Sequence, residues 1–370
     1  MTQRQAGLDY LRGFVVVLVV LHHAVLAYCR FGYFDTQHYL WSTAPIVDAD
    51  RWAGFDILVL FNDSFFMPLM FLLSGLFVGP SLRRKGPRAY VLDRLRRLGL
   101  PFVLAALVVM PVAYYPSYRM TGSTIGFSAF WVQTIFDGPW PNGPAWFVGV
   151  LLVFDVLVAV VQPWLPRWRL SFGGLAALSL VTFLPLLIGF GPVHWFTFGP
   201  FAVQASRVLL YAAYFFAGVS VGPAIRPGGR GRIALALALF AVLLAEQVYR
   251  SRDPGALPGL VWLVLYGVAL ALFCAAATLA MLGVFAGLTR PRVVLDRLSR
   301  DAYGIYLLHY PFIVWGQYAL LEARVGAVSK ALMVFAGSLT FSWFAAAGVG
   351  ALVRCFGKSS VSGRGDSTLA

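Results

Sequence analysis

Leu8-Asp9-Tyr10-Leu11-Arg12-Gly13, then the unbroken apolar run Phe14–Leu21, then His22-His23: the reading of this stretch decides the fold. From Gly13 to Ala27 only the two imidazoles interrupt an apolar run, with Arg4 and Arg12 before it and Tyr28-Cys29-Arg30 after it. About 20 mainly apolar residues cross the roughly 30 Å of hydrocarbon in a bilayer, so 10–29 reads as a transmembrane helix. No small-x-small cleavage pattern follows, and the segment is expected to stay in place as a first span.

Working outward, the same pattern recurs. The 370 residues are 60% hydrophobic and only 12% charged, about half the roughly 25% charge of a soluble domain. A mean hydropathy of +0.78 places the chain with membrane proteins. The expected fold is all-α, a polytopic bundle of about ten transmembrane helices over 10–29, 55–79, 99–115, 145–164, 171–190, 203–222, 233–249, 260–286, 301–320 and 331–353. One domain is expected over 1–356, with the Ser/Gly-rich stretch 357–370 as a disordered tail. Cys29, Cys274 and Cys355 have neither the spacing of a metal site nor that of a disulfide framework.

The net charge of +14 does not imply a nucleic-acid partner, because the basic residues lie between apolar runs rather than along one soluble face. With the N-terminus in the cytoplasm, alternating spans put 21 of the 29 Lys and Arg on the cytoplasmic side and 8 on the other. That asymmetry predicts both termini inside, and the cell (inner) membrane is the expected location. The opposite loops, 30–54, 116–144 and 191–202, are rich in Trp, Tyr and Phe. They form either interfacial aromatic belts or a vestibule for a substrate.

Ionisable groups inside a span are costly and usually face the bundle interior or a watery cavity. On a helix, the 11 residues from Arg12 to His23 turn about 1100°, so both share a face, about 16 Å apart along the axis. Asp9 is one turn before Arg12 and can pair with it. Arg12 could hold an anion or snorkel to the interface. His23 could accept a proton near neutral pH or make a structural hydrogen bond. Span nine repeats the theme in Tyr303-Gly304-Ile305-Tyr306-Leu307-Leu308-His309-Tyr310-Pro311. There Tyr306 and His309 meet on one face, and His309 lies about 12 Å into a helix that starts at Asp301.

The densest charge cluster is cytoplasmic: Arg83-Arg84-Lys85, Arg88 and Asp93-Arg94-Leu95-Arg96-Arg97. Arg94 and Arg97, three apart on a helix, suit phosphate oxygens through bidentate guanidinium donors or serve as a topological anchor. In span two, Asn62-Asp63-Ser64 suggests a hydrated cavity on the outer side, and Ser74-Gly75 suggests close helix packing. Trp146 starts span four as an interfacial anchor or a substrate wall. No Walker A, Gly-x-Ser-x-Gly, His-Glu-x-x-His or dinucleotide fingerprint is present, so zinc hydrolysis and nucleotide hydrolysis lose support and no metal is expected.

Four segments in this order, LDYLRG with ten residues between Arg12 and His23, FFMPLMFLLSG followed by DRLRRLGLP, PAWFVGVLL and YGIYLLHYP, together resemble the membrane-bound acyltransferase 3 family. The resemblance implies an O-acyltransferase that takes an acyl group from acyl-CoA, with acetyl-CoA as the default, and gives it to a hydroxyl of a carbohydrate or other small acceptor. It implies an essential His23 paired with Arg12, Arg94 and Arg97 on the CoA side, and Trp146, Tyr306 and His309 at recurring positions. Combined with the reading of the residues, the expectation is His23 as general base with Arg12, Asp9 and His309 as further catalytic candidates, Arg94, Arg97, Arg83, Arg84 and Arg12 toward the CoA, and Asn62, Asp63, Trp146 and Tyr306 toward the acceptor. The AWF form of span four is nearer the glucan-modifying branch. The other reading of the buried charges is a transporter or flippase for a glycan or lipid-linked precursor. Besides these substrates and the bilayer no partner is implied, and oligomeric state is left open.

Overall fold

The computed structural model describes residues 6–223 and 229–362, with side chains through Leu352. Arg4, Arg226 and residues 363–370 of the expected tail lie outside the described residues. The chain is built from α1 (Ala6–Leu26), α2 (Ala53–Lys85), α3 (Pro87–Arg119), α4 (Phe127–Phe136), α5 (Ala145–Trp164), α6 (Phe172–Phe190), the hairpin strands β1 (Trp195–Phe198) and β2 (Phe201–Gln204), α7 (Ala205–Val221), α8 (Arg230–Arg252), α9 (Gly259–Ala286), α10 (Val293–Ala319) and α11 (Ala327–Ser362). Every stretch expected to span the membrane is helical over most of its length.

Among the described residues, eight of these helices are long and apolar enough to cross a membrane. The other two of the expected spans fall short for visible reasons. The apolar helix α7 has 17 residues, and α10 carries Tyr306, His309, Tyr310 and Gln317 in its apolar half. The apolar surface is correspondingly exposed on the periphery: only 11% of the best span of α8 is buried, against 78% for α2. The protein is a multi-pass helical membrane bundle with α1 and α2 inside it. It is not wholly helical, since the short antiparallel pair β1–β2 joins α6 to α7, with Trp195 opposite Gln204 and Phe198 opposite Phe201.

Several boundaries differ from expectation. The helix α10 begins at Val293, eight residues before Asp301, so His309 is about 24 Å into it rather than 12 Å. The helix α11 runs to Ser362, so residues 357–362 of the expected tail are helical. The break in α2 at Ser64-Phe65 splits Ala53–Asp63 from Phe66–Leu76. In α3, π-helical turns at Leu95–Gly99 and Ala105–Val109 shift the helical phase.

The prolines of α3 explain how it stays hydrogen-bonded. A proline has no N–H to return to the carbonyl four residues earlier, and in a membrane that carbonyl must find another donor. Each does. The carbonyl four before Pro101 is Arg97, and it accepts from the Tyr303 hydroxyl at 3.0 Å. The one before Pro111 is Leu107, and it accepts from Trp131 Nε1 at 2.7 Å. The one before Pro116 is Val112, and it accepts from Trp315 Nε1 at 2.9 Å. Thus α3 is tied to α4 and twice to α10.

Small residues set the closest crossings. A Cβ on Gly75 would lie 2.1 Å from the Phe215 carbonyl oxygen, and one on Gly218 would lie 2.3 Å from that of Leu72. α2 and α7 therefore touch backbone to backbone. Gly7 brings α1 equally close to Phe285 of α9. α10 packs on α1, α3 and α11.

Candidate active site

α1 carries His22 and His23, with His23 in its last turn, and α10 carries His309. His23 Nδ1 lies 3.0 Å from the Val19 carbonyl oxygen, and His309 Nδ1 lies 2.7 Å from that of Tyr306. A carbonyl can only accept, so each Nδ1 carries the proton and each Nε2 keeps a lone pair. The two rings stand perpendicular, at 88°, with centroids 5.4 Å apart. Tyr310 packs on His23 edge-on at 5.1 Å. His309 is fully buried and its Nε2 has no partner among the described residues, while His23 keeps part of its surface accessible. His23 therefore faces the bundle interior and presents a basic nitrogen there.

The end of α1 is held by a residue that sequence reading missed. The last carbonyls of a helix lack intrahelical donors. Here the buried Gln317 amide donates to His23 O at 2.9 Å and Ala24 O at 3.1 Å. The Tyr28 and Cys29 amides serve Val25 and Leu26. All four orphan carbonyls have partners, which fixes the backbone that bears His23. The available signal was the amide itself, since a polar side chain inside an apolar span calls for a partner.

Tyr306 is buried and donates to the Pro144 carbonyl at 2.6 Å. Its ring meets Phe147 at 5.5 Å, so it links α10 to the start of α5. Trp146, one residue away, points elsewhere, toward Tyr211 at 5.4 Å and Trp195 at 5.7 Å. Asp63, at the break in α2, is paired with Arg207: Nη2 to Oδ2 is 2.7 Å, and Nη1 donates to the Asp63 carbonyl at 2.8 Å. Arg207, in the first turn of α7, is buried. The signal was Asp63 itself, since an acid inside a span calls for a partner.

The opposite end of α1 is basic. Arg12 lies 3.7 Å from Asp9 and over the Phe77 ring at 5.3 Å. Arg94 turns inward over the Tyr90 ring at 4.9 Å, with its Nε 3.7 Å from the buried Asp155 carboxylate. The Tyr90 hydroxyl donates to the same carboxylate. Arg97 turns outward and bonds Asp93 at 2.9 Å, and Asp93 also holds Lys85 at 2.7 Å. Arg94 and Arg97 have separate acidic partners here, Asp155 and Asp93, with a π-helical turn starting between them. Arg83 and Arg84 are exposed. Asp155 is the buried acid of this end, and no motif in the sequence marks it.

Among the described residues no cluster of His, Cys, Asp and Glu could hold a metal ion. Cys29 is no rival nucleophile, because it is fully buried and its thiol is turned back onto the Val25 carbonyl at 3.6 Å. The arrangement can hold an anion at one end of α1 and move a proton at the other.

No curated protein and no solved structure matches the chain. The family described as "Acyltransferase domain" matches residues 5–348, nearly the whole chain and all four motif segments. The interior His23, the basic end that shares its helix and this match agree, and the chain belongs to the acyltransferase 3 family of membrane acyltransferases.

Proposed function

We propose that the protein is a membrane O-acyltransferase that moves an acyl group, acetyl by default, from acyl-CoA to a hydroxyl of a carbohydrate or other small acceptor. The observation that carries this reading is the lone pair on His23 Nε2, held inside the bundle about 16 Å along α1 from Arg12. In this reading the chain crosses the inner membrane ten times with both termini in the cytoplasm. The phosphates of CoA meet Arg12, Arg83, Arg84 and Arg97 on the basic cytoplasmic side, and the Arg94 region shapes that entrance.

The chemistry then follows from the tautomer. His23 Nε2 accepts the acceptor's hydroxyl proton as its oxygen attacks the thioester carbonyl carbon. The tetrahedral oxyanion collapses, the C–S bond breaks, and the departing thiolate takes the proton back from the imidazolium. The products are the ester and CoA-SH, and no further reactant is needed. His309, whose ring packs on His23, keeps that ring in place.

The test is release of CoA-SH from acetyl-CoA by the detergent-purified protein. His23→Ala is expected to lower the rate by about 100- to 10,000-fold, the usual contribution of a general base. A His23→Ala rate equal to wild type would end the proposal.

A further inference from the structure

From residue 156 to residue 245 the chain contains no Asp or Glu, yet it carries Arg167, Arg169, Arg207, Arg226, Arg230 and Arg232. Arg207 is buried against Asp63, and Arg226 lies outside the described residues. The other four are exposed and have no carboxylate partner among the described residues. They gather at one end of the bundle. Asp155, late in α5, holds Arg94, so the loop after α5 that bears Arg167 and Arg169 emerges at the basic end. The Trp168 amide in that loop donates to Ser220 O at 3.3 Å, so α7 ends there too, eight residues before α8 starts at Arg230.

A cavity of about 100 Å³ opens at this end, walled by Ser171 and Phe172 at the start of α6, Arg232 and Leu235 of α8, and Ala276 and Leu279 of α9. Packing explains it. α6 and α8 each lie along α9, with little contact between them. Between α8 and α9 only Ala236, Ala276 and Ala280 are buried in a small cluster separate from the main core, edged by Phe172 and Leu239. Methyl groups leave space that a close-packed interior would fill with larger side chains. α8 is also the least buried of the long apolar helices, and its Ile233, Leu235 and Leu237 are exposed beside the cavity.

We propose that this cavity binds an anionic phospholipid of the surrounding leaflet, which completes the packing of α8 on the bundle. Charge and shape select the class. Arg232 is an unpaired guanidinium on the cavity wall, with Arg230 two residues away, and a guanidinium offers bidentate donors to a phosphate. The Ser171 hydroxyl oxygen accepts from the Gly174 amide at 3.1 Å, so its own proton is free to donate to a phosphate oxygen. Phe172, Leu235 and Leu279 continue the site as apolar wall. An anion joined to an apolar tail, held where unpaired arginines meet lipid-facing leucines, is the chemistry of a charged lipid between helices. A free phosphate satisfies the arginine and leaves the apolar walls empty, and a neutral lipid does the reverse. The site is built from helices other than those of Arg12, Arg83 and Arg84, and it stands independently of the acyl-transfer reading.

The experiment titrates the full chain in detergent with dioleoyl phosphatidylglycerol, dioleoyl phosphatidylcholine or glycerol phosphate. Bound lipid is counted by native mass spectrometry, and the thermal unfolding midpoint is the second readout. Phosphatidylglycerol is expected to bind about tenfold tighter than phosphatidylcholine and to raise the midpoint, whereas glycerol phosphate does not raise it. Arg232→Gln is expected to weaken phosphatidylglycerol binding about fivefold, the contribution of one basic residue near the membrane surface. Arg252→Gln removes the same charge at the other end of α8 and should leave binding within about twofold of wild type. Ala276→Leu fills the cavity without changing charge and should weaken binding about tenfold. Should that buried substitution fail to fold, the exposed pair Arg232→Gln and Arg252→Gln still decides. Equal binding of the two lipids overturns the proposal, and so do equal losses in the two arginine variants, which mean diffuse charge attraction. A midpoint raised as far by glycerol phosphate would make this a site for a free anion. Displacement of the lipid by acetyl-CoA would make it part of the donor site, and either result overturns the lipid assignment.

Discussion

The ring of His309 stands perpendicular to that of His23, with centroids 5.4 Å apart, and each ring gives its Nδ1 proton to a carbonyl of its own helix. Two imidazoles in contact, each fixed in one tautomer by its own backbone, divide the work unequally. His23 keeps accessible surface, whereas His309 is 0% exposed. A positioning role for His309 predicts that His309→Gln, which retains a polar side chain, loses about tenfold in kcat. His23→Gln loses at least about 100-fold. Donor KM is expected to stay near wild type in both. Measured by CoA-SH release, equal losses in the two variants would mean that both imidazoles handle the proton.

How much of this was legible depends on the kind of signal. Spans are declared by runs of apolar residues, so the ten expected spans all fall on helices, whereas the short α4 lies in the stretch 116–144 that reads as a loop. The pairing of Asp9 with Arg12 follows from spacing alone, and so does the shared face of Arg12 and His23. The break after Asp63 and the π-helical turns of α3 were hidden, because they depend on which distant donor captures a freed carbonyl. Arg94 and Arg97 show the same limit. Three-residue spacing puts them together on a regular helix, but Asp155, far along the chain, pulls one of them inward. Arg207 and Gln317 were missed because their partners, Asp63 and the end of α1, are remote in sequence.

The prolines of α3 make a measurable claim. Trp315 Nε1 donates to Val112 O at 2.9 Å, the carbonyl that Pro116 cannot serve. Replacing Trp315 by Phe removes this bond, at an expected cost of about 0.5–1.5 kcal/mol. In a Pro116→Ala background the substituted residue regains a backbone N–H that can serve Val112, and the same Trp315 replacement should cost measurably less. Thermal unfolding of the four proteins in one detergent gives the cycle. Equal costs in the two backgrounds would show that the indole contributes by packing alone.

The loop after α1 is pinned by a covered ion pair. Lys330, at the start of α11, is 1% exposed and lies 2.9 Å from Asp48 Oδ2, with Asp48 2% exposed. It also reaches Asp50, which is 56% exposed, at 3.2 Å. Asp48 in turn donates its amide to Ala27 O at 2.9 Å, so the pair joins the loop to the end of α1. Lys330→Met leaves a buried carboxylate without its cation. A cost of about 2 kcal/mol is expected, below the roughly 3–5 kcal/mol of a fully interior pair, because Asp50 connects this one to water. Adding Asp48→Asn should recover most of the loss of thermal stability. A double variant no more stable than the single one would place the effect in lost packing of the lysine stem.

Arg94 offers the sharpest separation of folding from binding at the basic end. Its guanidinium lies over Tyr90 and beside Asp155, which is 2% exposed and also accepts from the Tyr90 hydroxyl. Its Nε faces the Asp155 carboxylate at 3.7 Å, whereas Arg83 and Arg84 are open to solvent. Arg94→Gln is therefore expected to cost stability, on the order of 3 kcal/mol, by stranding the Asp155 carboxylate. The double variant Arg94→Gln/Asp155→Asn should restore both the folded yield and the KM for acetyl-CoA to within about threefold of wild type. Reversal at Arg83 and Arg84 to Glu should leave the fold intact and raise that KM about tenfold. The increase should shrink as salt screens the exposed charges, since the Debye length falls from about 10 Å at 0.1 M to about 3 Å at 1 M. If the Arg94 double variant folds normally yet keeps a tenfold-raised KM, then Arg94 contacts the donor directly, and the buried Asp155 serves to aim it.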